Sequence, residues 1–395
     1  MRSRDGRICF FGALIIGAII LAGCGSGGSD STASSDASTQ AASTKGSSSE
    51  FLAANAKELE ADYKGTFEAP DNTSPTPAKG KSVWVLSCGQ VAEGCAIPAA
   101  AAEEAGEAVG WNMKLVDGNL NPSTYGSLIS QAAAAQADAV LLDAIDCPLV
   151  QGPLKQARAA GVKVVAWGSI DCDDPRIGGE ALFDREVTFG DGSEGEPKHS
   201  EEMGEAKARW LISATEGEAK IIDIVQPEIL LFKFMDESFR KALEPCTTCE
   251  IVDTVEVTNA DYGPELQSKT QEALLRNPDA NALVVPYDAL LGLGVEPALK
   301  ASGREDELEV TALQGFPDTI KMMREGVVDA VFGEASEWQG WAAVDALNRL
   351  FDGSPAVSSG IGHQTVDKEH NMPKSGGFEP PIDFKSAYEA AWGLK

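Results

Sequence analysis

The sequence predicts an α/β protein made of two Rossmann-like lobes, each with a parallel sheet. Three observations lead there. Short runs rich in Val, Ile and Leu (SVWVLS, DAVLLD, VKVVAW) alternate with longer helical stretches. Strands covered on both faces read as continuous apolar runs of this kind. The alternation then restarts near residue 199, so two sheets in series are expected. Finally, 43% hydrophobic and 24% charged residues suffice for real cores in both.

The elements follow in order. SVWVLS is a short β-branched strand, and the alanine-rich residues 96–109 form a helix. WNMKLVDG is a strand, 123–136 a helix and DAVLLD a strand. Residues 149–160 form a helix stopped by Gly161; VKVVAW is a strand and ALFDREVTF a short one. The second series runs helix 199–214, strand AKIIDIV, helix 229–243, strand EIVDTVEV, helix 263–276 and strand NALVVP. Helix 289–301, strand LEVTAL, helix 317–325, strand DAVFGE and helix 337–351 complete it. No low-complexity stretch separates the series, so a hinge rather than a linker is expected. Ligands of open α/β sheets bind beyond the carboxyl ends of the strands, and two facing edges make a cleft.

The N-terminus reads as an address. Arg2, Arg4 and Arg7 precede an apolar run from Phe10 to Leu21, shorter than the ~20 residues that span a bilayer. Residues 1–23 therefore read as a secretory signal. The ending Leu21-Ala22-Gly23-Cys24 resembles a bacterial lipobox, which makes Cys24 the lipidated first residue of the mature chain, anchored without spanning. Residues 25–49 lack large apolar side chains and read as a tether of roughly 25–30 Å root-mean-square span. A short amphipathic helix with Phe51, Leu52, Leu59 and Tyr63 follows, then a Pro-punctuated loop. Residues 24–77 are thus expected to be tether and helix, with the folded body starting near Ala78.

Charge and composition exclude several classes. Asp and Glu number 61 against 32 Lys and Arg, a net −29, which disfavours a nucleic-acid partner. Only His199, His363 and His370 are present, which leaves little room for a zinc site or a serine–histidine hydrolase. P-loop, HExxH, GxSxG and EF-hand patterns are absent, so no cofactor or metal is implied. Paired carboxylates admit a glycosidase reading, but the acidic excess scatters carboxylates throughout.

With Cys9 removed and Cys24 lipidated, Cys88, Cys95, Cys147, Cys172, Cys246 and Cys249 remain for disulfides outside the cytoplasm. Connectivity stays open. Cys147 and Cys172 each follow a strand tip, and a bridge between them would stabilise by roughly 3–4 kcal/mol. A Cys88–Cys95 bond would pin one loop. The CTTC run of Cys246 and Cys249 suits a tight ring better than a redox site, because a strand follows it where a redox motif needs a helix.

The segments VWVLSCG, DAVLLDAID, GVKVVAWGS, PYDALLGLG, ALQGFPD, DAVFGEASEWQG and QTVDKEHN, in that order, resemble the type 1 periplasmic binding proteins. The similarity is to the ribose-like sugar branch of ABC-transporter substrate-binding lipoproteins and covers about residues 80–392. It implies three hinge crossings, near 186–198, 334–337 and 354–362. Lobe one would then be 78–188 plus 335–354, and lobe two 189–334 plus 355–395. The ligand loops depart from the family pattern at Cys88-Gly89-Gln90, Gly94-Cys95, Lys233 and Tyr287.

Candidate ligand contacts sit at strand carboxyl ends. They are Gln90, Asp146, Trp167, Ser169 and Asp171 in lobe one, and Lys233, Tyr287, Asp288, Gln314, Glu334 and Trp338 in lobe two. Phe316 is a weaker candidate. Carboxylates and amides pair with hydroxyls, and aromatic faces cover the C–H side of a sugar. Against this, Asp146, Asp171 and Asp288 could be caps, Trp167 core, and Lys233 a snorkelling surface residue. The resemblance implies a monomeric, non-enzymatic binder of a small polar solute, a sugar or polyol, on the outer face of the cytoplasmic membrane. It would hand its ligand to an ABC permease. The alternatives are a sensory module for a membrane kinase, a nucleoside or aromatic binder, a secreted glycoside hydrolase and a surface antigen.

Overall fold

The computed structural model describes residues 36–190 and 195–395, with side chains from Ser49 onward. The signal segment and Cys24 lie outside the described residues. The chain divides into two compact units, 1–47 and 48–395. Of the first, only helical residues from Asp36 are described, and everything that follows concerns the second.

The first lobe is built from β1 (Ser82–Ser87), α2 (Glu93–Ala108), β2 (Asn112–Asp117), α3 (Pro122–Ala134), β3 (Ala139–Asp143), α4 (Cys147–Ala159), β4 (Lys163–Trp167) and β5 (Arg185–Glu186). Its sheet has the order β2-β1-β3-β4-β5 and is parallel throughout. Alternation within β1 feeds two cores. Val83 and Val85 face one, Trp84 and Leu86 the other, so helices are needed on both sides.

The second lobe contains α5 (Glu196–Ala214), β6 (Lys220–Val225), α6 (Leu230–Leu243), β7 (Glu250–Glu256), α7 (Pro264–Arg276) and β8 (Ala282–Val284). It continues with α8 (Glu296–Ser302), β9 (Glu309–Thr311), α9 (Pro317–Glu325), β10 (Ala330–Glu334) and β11 (His363–Asp367). The strand order is β11-β10-β9-β8-β6-β7; all pairs are parallel except β10 with β11. Between β10 and β11 the chain returns to lobe one as α10 (Ser336–Asp352), which lies on α2. Gly340 makes that contact possible: a Cβ there would stand 2.3 Å from the Pro98 carbonyl oxygen.

The expected helix over 289–301 is interrupted. A wide turn at Leu291–Val295 precedes α8 because Gly294 adopts φ 157°, which an L side chain resists. The expected strand ALFDREVTF pairs only at Arg185–Glu186. β11, which overlaps the QTVDKEHN segment, is an edge strand paired only with β10.

Two expected boundaries differ from the structure. First, residues 50–77 are packed onto the body. Helix α1 (Asp36–Lys64) buries Leu59 in the lobe-two core, and the Asp62 carboxylate takes both Arg209 Nε at 2.7 Å and Nη2 at 3.0 Å. Beyond it, Thr66 N–H donates to the His363 carbonyl at 3.0 Å, and Asp71 accepts from Arg349 at 3.0 Å. The apolar face of the helix (Phe51, Leu52, Leu59, Tyr63) and Phe67 pack against the lobe cores, and polar pairing adds to this hold. Second, α11 (Phe384–Ala391) belongs to lobe one, not to lobe two. Phe384, Tyr388 and Trp392 recur at helical spacing and bury against Trp338 and Trp341 of α10. α11 therefore adds one passage to the three expected within residues 78–395. Among the described residues, no helix is long and apolar enough to cross a membrane.

Candidate functional site

The carboxyl ends of both sheets face one cavity of about 650 Å³. Lobe one contributes the β1–α2 loop, the turn after β2, and the ends of β3 and β4. Lobe two contributes the start of α5, the loops after β6 to β9 and the end of β10. The structure forms three disulfides: Cys88–Cys95, Cys147–Cys172 and Cys246–Cys249. The first holds the cavity loop between β1 and α2. The second ties the start of α4, directly after Asp146, to the loop after β4.

Several contacts bridge the lobes. Asp146 Oδ1 accepts from Ile170 N–H at 2.9 Å in its own lobe, and Oδ2 accepts from Leu230 N–H at 3.0 Å across the cleft. Leu230 opens α6, where free N–H groups and the helix dipole favour an anion. Glu196 Oε2 accepts from Gly168 N–H at 3.1 Å. At the rim, Arg176 pairs with Glu201 at 3.0 Å and lies 3.4 Å over the Phe234 ring.

In lobe two a polar web lines the wall. Tyr287 OH donates to Gln226 Oε1 at 2.6 Å, and Gln226 Nε2 donates to Asn259 Oδ1 at 2.9 Å and to Glu228 Oε1 at 3.0 Å. The Tyr262 and Tyr287 hydroxyls are 2.5 Å apart. Phe232 stacks on Tyr287 with ring centroids 4.4 Å apart. This web fixes rotamers and presents two aromatic faces with polar edges.

Four buried ionisable groups define the electrostatics. Burial pushes Asp146 up to about 6 and Glu196 up to about 7. Asp143, at the end of β3, is driven well above the carboxylate range by burial. Trp167, Ser87 and the Cys88 N–H surround it, yet neither carboxylate oxygen meets hydrogen-bond geometry with a described residue. Burial lowers His199, but Glu334 and Glu196 outweigh it and the net direction is upward. Its Nε2 is 3.8 Å from Glu334 Oε1, and Glu334 also accepts from Gln339 Nε2.

Of the residues expected from sequence, Asp146, Trp167, Tyr287, Gln314 and Glu334 line the cavity, as does Phe316. Six others do not. Ser169 is spent inside lobe one, accepting from Ile145 N–H and donating to the Trp167 carbonyl. Asp171 accepts from the N–H groups of Cys172, Leu182 and Phe183, so it fastens a loop. Asp288 does the same for Leu313, Gly315 and Phe316. Trp338 is fully buried against Phe384, because its apolar surface serves the lobe-one core. Lys233 points to solvent beside Glu237 on α6, and Gln90 is exposed on the β1–α2 loop.

Sequence reasoning missed Asp143, Glu196, His199, Glu228, Asn259 and Tyr262. Asp143 stood in the same DAVLLDAID run as Asp146, at the last position of the strand, and that position was its signal. Glu196 closes a Gly-rich stretch that reads as a turn. The loop after β7 carried no signal of its own.

A sequence model of the periplasmic binding protein domain family matches residues 93–355. No curated protein sequence matches the chain. Among solved structures, an ABC-transporter solute-binding protein from Burkholderia graminis in complex with D-arabinose superposes with TM-score 0.62 at 20% identity, covering 76% of this chain and all of that one. A solute-binding protein from Agrobacterium vitis bound with α-D-tagatopyranose gives 0.64 at 18% identity, over 73% and 95% of the two chains. A glucose-galactose binding protein from Geobacillus stearothermophilus gives 0.62 at 15% identity, over 74% and 99%.

Proposed function

Because the chain belongs to the periplasmic binding protein domain family, we propose that it is an extracytoplasmic, lipid-anchored solute-binding protein for a sugar-like solute, which it passes to an ABC permease. The observation that carries this reading is the cavity itself. Two lobes with facing strand ends enclose about 650 Å³, a volume suited to one small molecule. The lobes meet through the Asp146 to Leu230 hydrogen bond at the cleft floor. The arabinose, tagatose and glucose-galactose proteins named above support the ligand class.

Capture follows from physical chemistry. A solute that bridges both walls stabilises the closed arrangement by contacts the open one lacks. Aromatic faces (Tyr287, Tyr262, Phe232, Trp167) cover apolar C–H surface, while carboxylates and amides pair with hydroxyls. No bond is made or broken, so this chemistry is binding rather than turnover. Cys24 would hold the body near the membrane and its permease.

The test is to denature the purified protein, identify the released small molecule by mass spectrometry, and add it back during small-angle scattering. The expected result is compaction on ligand addition. An unchanged radius with a confirmed ligand would refute hinge closure.

A further inference from the structure

We infer that the cavity selects a solute carrying a protonated amine on a hydroxylated ring, an amino sugar or amino cyclitol, over its neutral counterpart. This rests on the solute-binding reading above and narrows it.

The charge of the lining is one-sided. Asp143, Asp146, Glu196, Glu228 and Glu334 face the cavity, while none of the described lining residues is a lysine or arginine. The buried Lys207 behind the lobe-two wall is turned away, donating to the Val285 and Pro286 carbonyls at 3.0 and 3.1 Å. An anionic solute would find no countercharge here beyond His199.

Four of the five carboxylates already have protein partners. Asp146 takes two backbone N–H groups, and Glu196 takes Gly168 N–H and Ser200 Oγ. Glu228 takes Gln226 and Asn259 N–H, and Glu334 takes Gln339. Asp143 stands apart. It is 1% exposed; Trp167, Ser87 and the Cys88 N–H lie beside it, yet neither oxygen reaches full hydrogen-bond geometry with them, and among the described residues no lysine or arginine lines the cavity to face it. Burial by itself favours the protonated form of Asp143, because a buried carboxylate without a countercharge is costly; a cation beside it would favour the ionised form instead.

A neutral sugar could give Asp143 a hydroxyl but no charge. An ammonium supplies up to three N–H donors and the missing positive charge together. The neighbouring Trp167 Nε1, buried beside Asp143 and short of good hydrogen-bond geometry to it, is a donor that a ring hydroxyl next to that amine would complete. The stacked Phe232–Tyr287 pair offers π-faces, which attract a cation as well as C–H surface. Together these groups describe a ligand with an amine at the lobe-one floor and a hydroxylated, partly apolar ring against lobe two.

Calorimetry on the full mature chain tests this with glucosamine, galactosamine, mannosamine, glucose, galactose, mannose and N-acetylglucosamine. At least one amino sugar is expected to bind about 100-fold tighter than its neutral parent, the scale of a lost buried charge partner. N-acetylglucosamine, uncharged at nitrogen, is expected to lose any advantage glucosamine has, in the wild-type protein and therefore independently of any folding defect. Asp143→Asn is expected to collapse the amine-to-neutral ratio towards unity. Neutral sugars binding as tightly as the amines, or an unchanged ratio in Asp143→Asn, would overturn the inference and leave the solute-binding reading standing. No binding by any of these sugars, with no small molecule released on denaturation, would overturn both.

Discussion

Asp146→Asn perturbs a carboxylate of lobe one that joins the two halves, as Glu196 does from lobe two. The wild-type side chain accepts at both oxygens, from Ile170 N–H at 2.9 Å and Leu230 N–H at 3.0 Å. Asparagine keeps one acceptor and places an NH2 where the second stood, facing a backbone donor. The oxygen that remains can serve Ile170 within its own lobe, so the bond that crosses the cleft is the one given up. A hydrogen bond to a charged group contributes about 1.5–3 kcal/mol. Part of this comes from the negative charge at the start of α6. Taking about 2 kcal/mol, the closed arrangement loses roughly 30-fold against the open one. Apparent ligand affinity falls with the closed fraction. The solute released on denaturation is therefore expected to bind Asp146→Asn up to about 30-fold more weakly than wild type in calorimetry. Equal affinities for the two proteins would refute the latch.

Other expectations concern stability. Burial pushes Glu186 up to about 8, helped by Asp171 and Glu196, and Glu196 up to about 7. Both hold protons in the folded chain at pH values where the unfolded chain, near 4.5, has released them. Their contribution is complete below about 4.5 and is lost as pH rises through 7 to 8; the raised His199 has the same sign. His363, lowered to about 3 by burial, has given its full contribution by 6.5, and Lys207, lowered to about 8, acts only above that. The melting temperature should therefore fall between pH 6.5 and 8 in scanning calorimetry, and Glu186→Gln should flatten the slope; a rise in that window would contradict the assignment. Gly340→Ala would force a Cβ to 2.3 Å from the Pro98 oxygen, for an expected loss of about 1–3 kcal/mol in chemical denaturation. Gly152→Ala, with open space around it, is the control expected to cost nothing.

Much of the fold could be read before any coordinates. The strands SVWVLS, DAVLLD and VKVVAW are continuous apolar runs because both faces of each sheet are covered, and burial on two sides leaves no polar alternation to confuse them. The helix at 317–325 lies where its Pro start and Gly326 end put it. The site was legible only in part. Position at a strand's carboxyl end singled out Asp146, Trp167, Tyr287, Gln314 and Glu334. It could not separate Asp288 and Asp171, which sit at similar ends but spend their oxygens on backbone N–H groups. Nor could it raise Asn259 and Tyr262, which come from a loop without periodicity.

The amino-acid order alone determined two α/β series, their strand runs and the cleft-facing rims, because apolar periodicity and helix boundaries are local properties of a chain. Tertiary structure alone decided which carboxylates are free. The isolated state of Asp143, the Asp146 bond to Leu230, and the return of α11 to the Trp338–Trp341 surface each join residues far apart in sequence. Whether a polar group is satisfied depends on what the rest of the molecule packs around it.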